Sequence, residues 1–442
     1  MTAPWHPPQG ATTLPTGVLR GPHTVMFGAG QRRAVPELVR ANGGGALVIT
    51  DPRLAETPYL GELVDGLRSA GITVRVFDEA APELPREQVP QALDLARRGG
   101  AEVILGFGGG SCLDLAKVVA LLLAHGGSAP DYYGENQVPG ATAPVVAIPT
   151  TAGTGSEVTP VAVLTDPDRT SKVGVSSPYL IPFAAVCDPE LTVSCPPSVS
   201  ATAGADALSH AIEAYTAIRR PPTPTLATER VFVGKGVLTD AFALLAVREV
   251  AAHLRRVCQV ADDLVARSGM MLAALAGGYA FGTAGTAAAH ALQYPIGALT
   301  HTPHGAGVGT LLPYVMAFNS PVRTAELAEL AAALGVDGTD DSADEHREGG
   351  TQGGRARAAV TAVADLLTGV GIPADLAALG VPAERLSWVA AEAMNARRLV
   401  QNNPRPMDET AALALLRAAQ AGDRAAAAAI PVETVNSDRS PS

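Results

Sequence analysis

The sequence predicts an α/β domain with a mostly parallel sheet, followed by an all-α domain. Short apolar runs alternate with helical patterns up to about residue 190, and this alternation is typical of a parallel sheet with helices on both faces. Beyond Asp188-Pro189, alanine, leucine and valine recur at helical spacing with few strand signals. A chain of 442 residues is also too long for one compact core, so we expect two domains.

The first domain is predicted to contain five strands and four helices. The strands are Thr24–Phe27, Ala46–Thr50, Thr73–Phe77, Val103–Phe107 and Val145–Pro149, and the helices are Arg33–Asn42, Tyr59–Ala70, Val89–Arg98 and Ser111–His125. The expected organisation is a loose tail (1–20), the α/β domain (21–190), the helical domain (191–425) and a second loose tail (426–442). The polar stretch 336–357, acidic at first and then glycine-rich, is predicted to be an insertion loop.

The composition argues against several classes of partner. A net charge of −11 disfavours nucleic acid and anionic membranes. Residues 268–300 carry no charge and are long enough to cross a membrane, but their glycines, Gln293 and His290 favour a buried helix pair. Four cysteines without a Cys-x-x-Cys pair indicate a reduced, cytoplasmic protein.

Three glycines, Gly108, Gly109 and Gly110, separate the fourth predicted strand from the helix that begins at Ser111. A strand that passes through glycines into a helix presents free backbone N–H groups and a positive dipole end, which suit a pyrophosphate. Ser111 and Asp114 also fit a capping box. Asp114 therefore either caps the helix or contacts the nicotinamide side of a dinucleotide.

Asp51 directly follows the second predicted strand. A carboxylate in this position can accept both hydroxyls of an adenosine ribose and repels a 2′-phosphate, which favours NAD(H) over NADP(H). The alternative is a turn or helix cap, because Asp51-Pro52 is a common turn pair.

The stretch from Pro149 to Thr159 (PTTAGTGSEVT) follows the fifth predicted strand and is rich in threonine and glycine. Such residues can build a wall of small hydrogen-bond donors beside a ligand, or they can form an ordinary loop. Their density favours the ligand site.

Four side chains of the second domain could converge on a divalent metal. Asp206 and His210 are four residues apart in a helical context, which places both on one helix face. His290 lies in a second helical run, and His304 follows a Thr-Pro pair near a bend. One carboxylate oxygen and three neutral imidazoles suit Fe²⁺ or Zn²⁺ and leave a position open for a substrate.

A metal of this kind polarises an alcohol or aldehyde oxygen, whereas a nicotinamide supplies the hydride. Tyr294 lies four residues after His290 and His301 lies three before His304, so either could pass a proton toward solvent. Tyr294 could instead be a packing residue. The metal and the dinucleotide together predict a metal-dependent dehydrogenase.

These stretches, in this order, resemble the iron-containing alcohol dehydrogenase family. The resemblance runs from about residue 20 to 420. Its motifs are Gly108-Gly-Gly-Ser111-x-x-Asp114-x-x-Lys117, Pro149-Thr-Thr-Ala-Gly-Thr-Gly-Ser-Glu157, Asp188-Pro-Glu-Leu191, Gly204-Ala-Asp206-Ala-Leu-Ser-His210-Ala-Ile-Glu213, His290, Pro303-His304-Gly305 and Asn403-Pro404-Arg405.

The resemblance implies an N-terminal dinucleotide-binding domain and a helical metal-binding domain, with the active site in the cleft between them. It implies that the metal ligands are Asp206, His210, His290 and His304. It further implies that the cofactor contacts Gly109, Gly110, Ser111, Asp114, Thr150, Thr151 and Lys172, with Asp51 on its ribose.

Two features depart from the family pattern. Many members have a histidine where Tyr294 stands, which leaves the proton relay open; hydroxyacid–oxoacid transhydrogenases resemble this chain in that respect. The insertion over 336–357 is also unusual, and we expect it to lie outside the cleft.

We therefore expect a cytoplasmic, homodimeric NAD(P)-linked enzyme that uses Fe²⁺ or Zn²⁺, prefers NAD(H), and acts on a small aldehyde or alcohol. Candidate substrates are phosphonoacetaldehyde, maleylacetate and short alkanols. The alternatives are a dehydroquinate-synthase-like lyase, which uses NAD and metal without net redox, and a hydroxyacid–oxoacid transhydrogenase.

Overall fold

The computed structural model describes residues 16–169, 172–336 and 351–431. The strands are β1 (Thr24–Phe27), β2 (Gly45–Ile49), β3 (Thr73–Phe77), β4 (Val103–Gly108), β5 (Gly134–Glu135), β6 (Val145–Pro149), β7 (Val161–Leu164), β8 (Val173–Ser176) and β9 (Ala184–Cys187). The helices of the first domain are α1 (Val35–Arg40), α2 (Pro52–Ala55), α3 (Pro58–Ser69), α4 (Gln88–Arg98) and α5 (Gly110–His125).

The second domain is built from helices only. They are α6 (Pro197–Thr216), α7 (Leu226–Glu229), α8 (Val237–Gln259), α9 (Leu264–Ala284), α10 (Ala288–Thr300), α11 (His304–Ala333, interrupted at Arg323), α12 (Gln352–Thr368), α13 (Leu386–Ala393), α14 (Arg397–Asn402), α15 (Glu409–Gln420) and α16 (Arg424–Ala429). The described residues after β9 form no strand, so the prediction of an all-α domain is confirmed.

A parallel six-stranded sheet in the order β1-β9-β6-β4-β2-β3 forms the centre of the first domain. Its register pairs Ile49 of β2 with Gly106 of β4, and Gly108 of β4 with Pro149 of β6. The segments that follow these three strands therefore begin side by side at the carboxyl edge of the sheet. Parallel α/β sheets bind their ligands at this edge.

Helices cover both faces of this sheet, as predicted. Leu47 and Ile49 of β2 pack into a core with α4 and α5. Ala46 and Val48, which point the other way, pack into a core with α1 and α3. Burial on both faces explains why β2, β4 and β6 are apolar along their whole length.

The structure adds strands that the sequence analysis did not predict. The strand β9 lies between β1 and β6, and β5, β8 and β7 form a separate three-stranded sheet. These strands have four residues or fewer, and β9 begins with Ala184 and Ala185, whose strand propensity is low. Short strands of this composition give only a weak signal in the sequence.

Helices α6, α8, α9 and α11 pack against one another in the core of the second domain. Among the described residues, α9 has the length and composition of a membrane span, but 72% of its apolar window is buried inside the protein. The uncharged stretch thus falls on α9 and α10, and most residues of both helices are buried, as predicted.

Two predicted boundaries need correction. Helix α12 begins at Gln352, within the predicted insertion loop, because Thr351 caps it by accepting a hydrogen bond from the Gly354 backbone N–H at 3.0 Å. Helix α16 likewise extends into the predicted tail as far as Ala429. The remaining parts of these two predictions, 337–350 and 432–442, lie outside the described residues, as do residues 1–15 of the first tail.

Candidate metal centre and nucleotide cleft

Three helices bring the four predicted ligands together. Asp206 and His210 lie on α6, His290 lies on α10, and His304 is the first residue of α11. The Nε2 atom of each histidine lies 3.6 Å from Oδ1 of Asp206. This separation is too long for a hydrogen bond. Oδ1 of Asp206 and Nε2 of His290 are buried and have no hydrogen-bond partner among the described residues.

The spacing of these atoms fits a shared ion. Ligand atoms about 2.1 Å from a tetrahedral ion lie roughly 3.4 Å from one another. The ligand-capable atoms of Asp206, His290 and His304 lie within 4.8 Å of one another, and His210 approaches the same carboxylate oxygen. Burying an unpaired carboxylate beside unpaired imidazoles costs free energy, which a divalent cation would offset. These residues could therefore hold Fe²⁺ or Zn²⁺.

Electrostatics at three of the four side chains, Asp206, His210 and His304, favour the protonation states that bind a cation. Burial lowers the pKa of His210 to about 4 and that of His304 to about 3, although Asp206 opposes both shifts. Burial alone would raise the pKa of Asp206, but the surrounding imidazoles lower it below its usual range. At neutral pH, His210 and His304 are thus neutral and the Asp206 carboxyl group is ionised.

Two glycines place His304. A Cβ atom at Gly305 would lie 2.0 Å from the Thr202 carbonyl oxygen of α6, and one at Gly307 would lie within 2 Å of Gln293 on α10. Only glycine allows the first turn of α11 to approach both helices this closely. Close packing against α6 therefore explains why glycine follows His304 in the motif Pro303-His304-Gly305.

Glu213 is a site residue that the sequence analysis did not single out. It lies on α6, seven residues after Asp206 and so on the same face. Its carboxylate accepts a hydrogen bond from Nδ1 of His290 at 2.6 Å, and it also accepts from the backbone N–H groups of Ala287 at 2.9 Å and Ala289 at 2.6 Å. With Nδ1 as the donor, Nε2 of His290 faces the cluster and could bind a cation once it has lost its proton.

Burial of the His290 imidazole would by itself lower its pKa. The neighbouring carboxylates of Glu213 and Asp206 outweigh burial and raise the pKa of His290 to about 9. The carboxylate of Glu213 therefore makes the imidazole a stronger base, as metal-binding histidines commonly require. In the sequence, Glu213 is indicated by its spacing from Asp206 and His210 and by its place at the end of the motif Gly204–Glu213.

A cavity of about 230 Å³ connects the cluster with the glycine turn. The α/β domain contributes Glu83, Gly110, Ser111, Asp114, Thr154, Ser156 and Lys172 to its wall, among others, and the helical domain contributes Asp206, His210, His290, Tyr294, His304 and Arg398. The predicted cleft between the domains therefore contains both features.

Gly110 and Ser111, the first two residues of α5, lie in the wall of this cavity. The helix begins after Gly109, which offers no side-chain cap, so the predicted capping box is absent. The Ser111 hydroxyl instead accepts a hydrogen bond from the Glu83 backbone N–H at 3.0 Å. The positive end of α5 consequently faces the cavity, as an anion site requires.

Asp114 and Lys117 brace the loop that follows β6. The Ser156 hydroxyl donates to Oδ1 of Asp114 at 2.5 Å, and the Val163 backbone N–H donates to Oδ2 at 2.9 Å. The buried Lys117 ammonium donates to Ser156 Oγ at 2.8 Å and to the carbonyl oxygens of Thr159 and Val161 at 3.0 and 2.8 Å. Asp114 thus lines the cavity but uses both oxygens to fix its wall.

The glycines of the Pro149–Thr159 stretch allow the two domains to approach closely. A Cβ atom at Gly153 would lie 2.9 Å from the Cα of Ala203, and one at Gly155 would lie 2.5 Å from the Cα of Gly278. Gly155 also has a φ of +61°. The loop therefore packs backbone to backbone against α6 and α9.

The two threonines that begin this loop differ in their surroundings. Thr150 is buried, and its hydroxyl has no hydrogen-bond partner among the described residues. Thr151 is half-buried, and its hydroxyl lies 3.5 Å from the position of a Cβ at Gly109. Thr151 thus stands next to the glycine turn.

Asp51 and Lys172 each have a partner in the structure. Asp51 caps α2 by accepting a hydrogen bond from the Leu54 backbone N–H at 2.9 Å, which was the alternative considered for it. Asp51 nevertheless lies at the carboxyl edge of the sheet, two residues after Ile49, which pairs with Gly106 of β4. The Lys172 ammonium lies in the cavity wall, 3.1 Å from a carboxylate oxygen of Glu83.

The two proposed proton carriers lie in different environments. Tyr294 lines the cavity, and its ring centroid lies 6.2 Å from that of His304. Burial raises the pKa of its phenol. His301 ends α10 with a left-handed φ of 54°, is exposed, and is not among the residues that line this cavity.

Two known protein families match this chain, one in each domain. The family described as iron-containing alcohol dehydrogenase matches residues 22–189, and the C-terminal family of Fe-containing alcohol dehydrogenases matches residues 200–420. Long-chain-alcohol dehydrogenase 1 of Geobacillus thermodenitrificans is 36% identical over 391 residues, which cover 88% of this chain and 92% of that protein.

Other relatives agree with this match. Sulfoacetaldehyde reductase of Bilophila wadsworthia is 33% identical over 398 residues, covering 89% of this chain and 96% of that protein. The crystal structure of a 1,3-propanediol oxidoreductase superposes with a TM-score of 0.82 at 30% identity, covering 91% of this chain and 99% of the other. The predicted fold class and resemblance are therefore confirmed, and the chain belongs to the iron-containing alcohol dehydrogenase family of oxidoreductases.

Proposed function

We propose that the protein interconverts a small alcohol and its aldehyde or oxo form with NAD(P)(H), and that Asp206, His210, His290 and His304 hold a divalent metal. The observation that carries this proposal is that the four-residue cluster and the amino end of α5 face one cavity. When bound, the metal would polarise the substrate oxygen and the nicotinamide would exchange a hydride. The cluster would hold the metal, and the amino end of α5 would bind the pyrophosphate of the dinucleotide.

Three imidazoles and one carboxylate suit both Fe²⁺ and Zn²⁺. We propose Fe²⁺, with Zn²⁺ as the alternative that the same ligands accept. Metal analysis of the purified protein distinguishes the two.

NAD(H) is the proposed cofactor in preference to NADP(H). Gly109, Gly110, Ser111, Thr150, Thr151 and Lys172 are proposed to contact it, and Asp114 to shape its site through Ser156. The position of Asp51 after β2, at the same edge of the sheet as the glycine turn after β4, supports a contact between its carboxylate and the ribose, and its charge would repel a 2′-phosphate. Asp51→Ser keeps a helix cap and removes the charge. We expect the ratio of kcat/KM for NADPH to that for NADH to rise about tenfold; an unchanged ratio would refute the contact.

Tyr294 is proposed to move a proton between the substrate oxygen and solvent. Its ring lies in the cavity wall beside His304, on the turn of α10 that follows His290. His301 is exposed and lies outside the residues of this wall, so Tyr294 alone is proposed as the proton carrier.

The central experiment is a panel of aldehydes with NADH, combined with metal analysis of the same preparation. The panel includes phosphonoacetaldehyde, maleylacetate, sulfoacetaldehyde and short alkanals. His290→Ala should lose metal and turnover together, whereas His23→Ala, at an exposed position, should retain both. Full activity of His290→Ala would contradict the ligand role.

The same assay separates the alternative functions. Consumption of one NADH per aldehyde contradicts a lyase without net redox. Activity with free NADH, in the absence of any hydroxyacid donor, contradicts an obligate transhydrogenase.

A further inference from the structure

Arg398 is a cation in the wall of the catalytic cavity that has no counter-ion. Its guanidinium stacks on the ring of Phe232, with Cζ 4.0 Å from the ring centroid. No hydrogen bond or ion pair among the described residues involves this side chain, and its Nη1 atom is buried without a partner. Burial lowers the pKa of Arg398, but a guanidinium stays protonated in proteins.

The carboxylates that influence this charge have other partners. Glu213 accepts hydrogen bonds from His290 and two backbone N–H groups. Glu135 accepts one from the Val231 backbone N–H at 3.1 Å. Lys172, the other cation of the cavity wall, pairs with Glu83. The hydrogen-bonding capacity of Arg398 is therefore unused.

Arg398 lies where two cavities meet. It lines the cavity of the four-residue cluster and also a larger, open one, and it shares both walls with Val161, Val163, Lys172 and Tyr294. A molecule that passes from the open cavity toward Asp206 and the histidines would meet this guanidinium. The inner cavity, of about 230 Å³, is smaller than the range of about 300–1,000 Å³ typical of drug-sized ligands, so the molecule must be short.

We propose that Arg398 is an oxyanion subsite and that the substrate is a short aldehyde or alcohol with a terminal carboxylate, sulfonate or phosphonate. This rests on the proposed function, because the reacting oxygen must face the four-residue cluster. The planar fork of the guanidinium matches such oxyanions with two parallel hydrogen bonds. A neutral substrate would leave the desolvated cation unpaired, and the site would discriminate against it.

The dinucleotide is the other possible source of an oxyanion. The turn proposed for its pyrophosphate, Gly108–Ser111, belongs to the edge of the sheet. Arg398 belongs to the helical wall, with Phe232 and Tyr294. The guanidinium is therefore assigned to the substrate, and NADH affinity tests that assignment.

The test compares wild type with Arg398→Met and Arg398→Lys. Methionine preserves the stack on Phe232 without charge, and lysine preserves the charge without the fork. Arg385→Met is the matched control, because exposed Arg385 also stacks on an aromatic ring, that of Trp388, and lies outside the residues that line the two cavities. The substrates are sulfoacetaldehyde, phosphonoacetaldehyde and succinic semialdehyde, with butanal as the neutral comparison, and NADH binding is followed by fluorescence.

Wild type should prefer at least one of the anionic aldehydes to butanal by tenfold or more in kcat/KM. Arg398→Met should reduce kcat/KM for that aldehyde roughly 10- to 100-fold, which is the usual loss for a charge-assisted hydrogen bond, and change butanal less than threefold. Arg398→Lys should recover part of the loss, and Arg385→Met should behave as wild type. The anionic aldehyde that wild type prefers identifies which terminal group, carboxylate, sulfonate or phosphonate, the subsite binds.

Three results would overturn the subsite: a wild-type preference for butanal, equal losses for anionic and neutral aldehydes, or weaker NADH binding with unchanged substrate discrimination. Calorimetric binding of the unreactive anions sulfoacetate and phosphonoacetate separates this proposal from the reductase function. If wild type reduces no aldehyde but binds one of these anions, and Arg398→Lys weakens that binding, the reductase proposal fails and the subsite stands. If wild type binds neither anion, the proposal of an oxyanion subsite is refuted, whether or not the protein reduces an aldehyde.

Discussion

At the scale of single residues, the site depends on partners that hold its side chains in one orientation. His290 faces the cluster because its Nδ1 atom donates a hydrogen bond to the Glu213 carboxylate at 2.6 Å. His210 is held by the ring of Phe281, which stacks on it with a centroid distance of 4.0 Å. A ligand atom kept in place before the ion arrives loses less conformational freedom on binding.

Replacement of Glu213 by glutamine should weaken metal binding about 10- to 100-fold, because the amide supports the Nδ1–H less strongly and lowers the basicity of Nε2. The dissociation constant is measured by titration of Zn²⁺ against a competing chelator, with circular dichroism to establish folding. Exposed Glu384→Gln is the control. An unchanged metal affinity would show that Glu213 only organises the start of α10 through its backbone hydrogen bonds.

Tyr294→Phe tests the proton carrier. The change removes one hydroxyl group from the cavity wall and leaves the four-residue cluster intact. Turnover should fall about 100-fold, in the usual range for loss of a general acid, while metal content stays the same. Steady-state rates across pH, with metal analysis, measure both effects. Identical pH–rate profiles in the two proteins would make Tyr294 a packing residue.

At the scale of elements, the loop after β6 joins the two domains and lines the site. Lys117 and Asp114 fix it from α5, while Gly153 and Gly155 allow its backbone to contact α6 and α9. Glu157 lies buried in the same loop, and burial raises its pKa to about 7 although Lys117 opposes the shift. The loop therefore contains a carboxyl group that is costly to ionise.

This cost makes stability depend on pH. Between pH 4.5 and about 7, the folded protein retains a proton on Glu157 that the unfolded chain has released, so stability falls as pH rises through this window. Glu157→Gln cannot ionise. Its stability relative to wild type should increase from near zero below pH 4.5 to roughly 3 kcal/mol above pH 7.

Urea unfolding of wild type and Glu157→Gln at pH 4.5, 6 and 8 measures this difference. Glu384→Gln, at an exposed position, should show a stability difference that is independent of pH. A constant difference for Glu157→Gln as well would mean that Glu157 ionises in the folded protein as easily as in the unfolded chain.

At the scale of the whole molecule, the cavity lies between the two domains. The α/β domain contributes the amino end of α5, and the helical domain contributes the four-residue cluster. The four-residue cluster connects α6, α10 and α11, which belong to the main core of the helical domain. An ion bound there would cross-link three helices. Metal binding and folding of this domain should therefore be coupled.

Removal of the metal should accordingly lower thermal stability. An ion present at about 100 times its dissociation constant stabilises the folded state by about 2.7 kcal/mol, which corresponds to roughly 5–10 °C in Tm for a domain of this size. Calorimetry of the loaded, chelated and reloaded protein measures the change, which should reverse on reloading. His290→Ala should show no metal-dependent shift, and a shift of normal size in that variant would contradict the cross-link.

Local patterns along the chain were sufficient to predict the two domains, the glycine turn and a set of candidate metal ligands, because strand–helix alternation and the spacing of Asp206 and His210 are properties of short segments. The family resemblance implied the same four residues as ligands, including His290 and His304. Tertiary structure alone decided which side chains meet across long separations: Glu213 with His290, 77 residues apart, Lys117 with Ser156, 39 residues apart, and the guanidinium of Arg398 with Phe232. Periodicity reports which face of its own element a residue occupies, whereas these contacts depend on how separate elements pack.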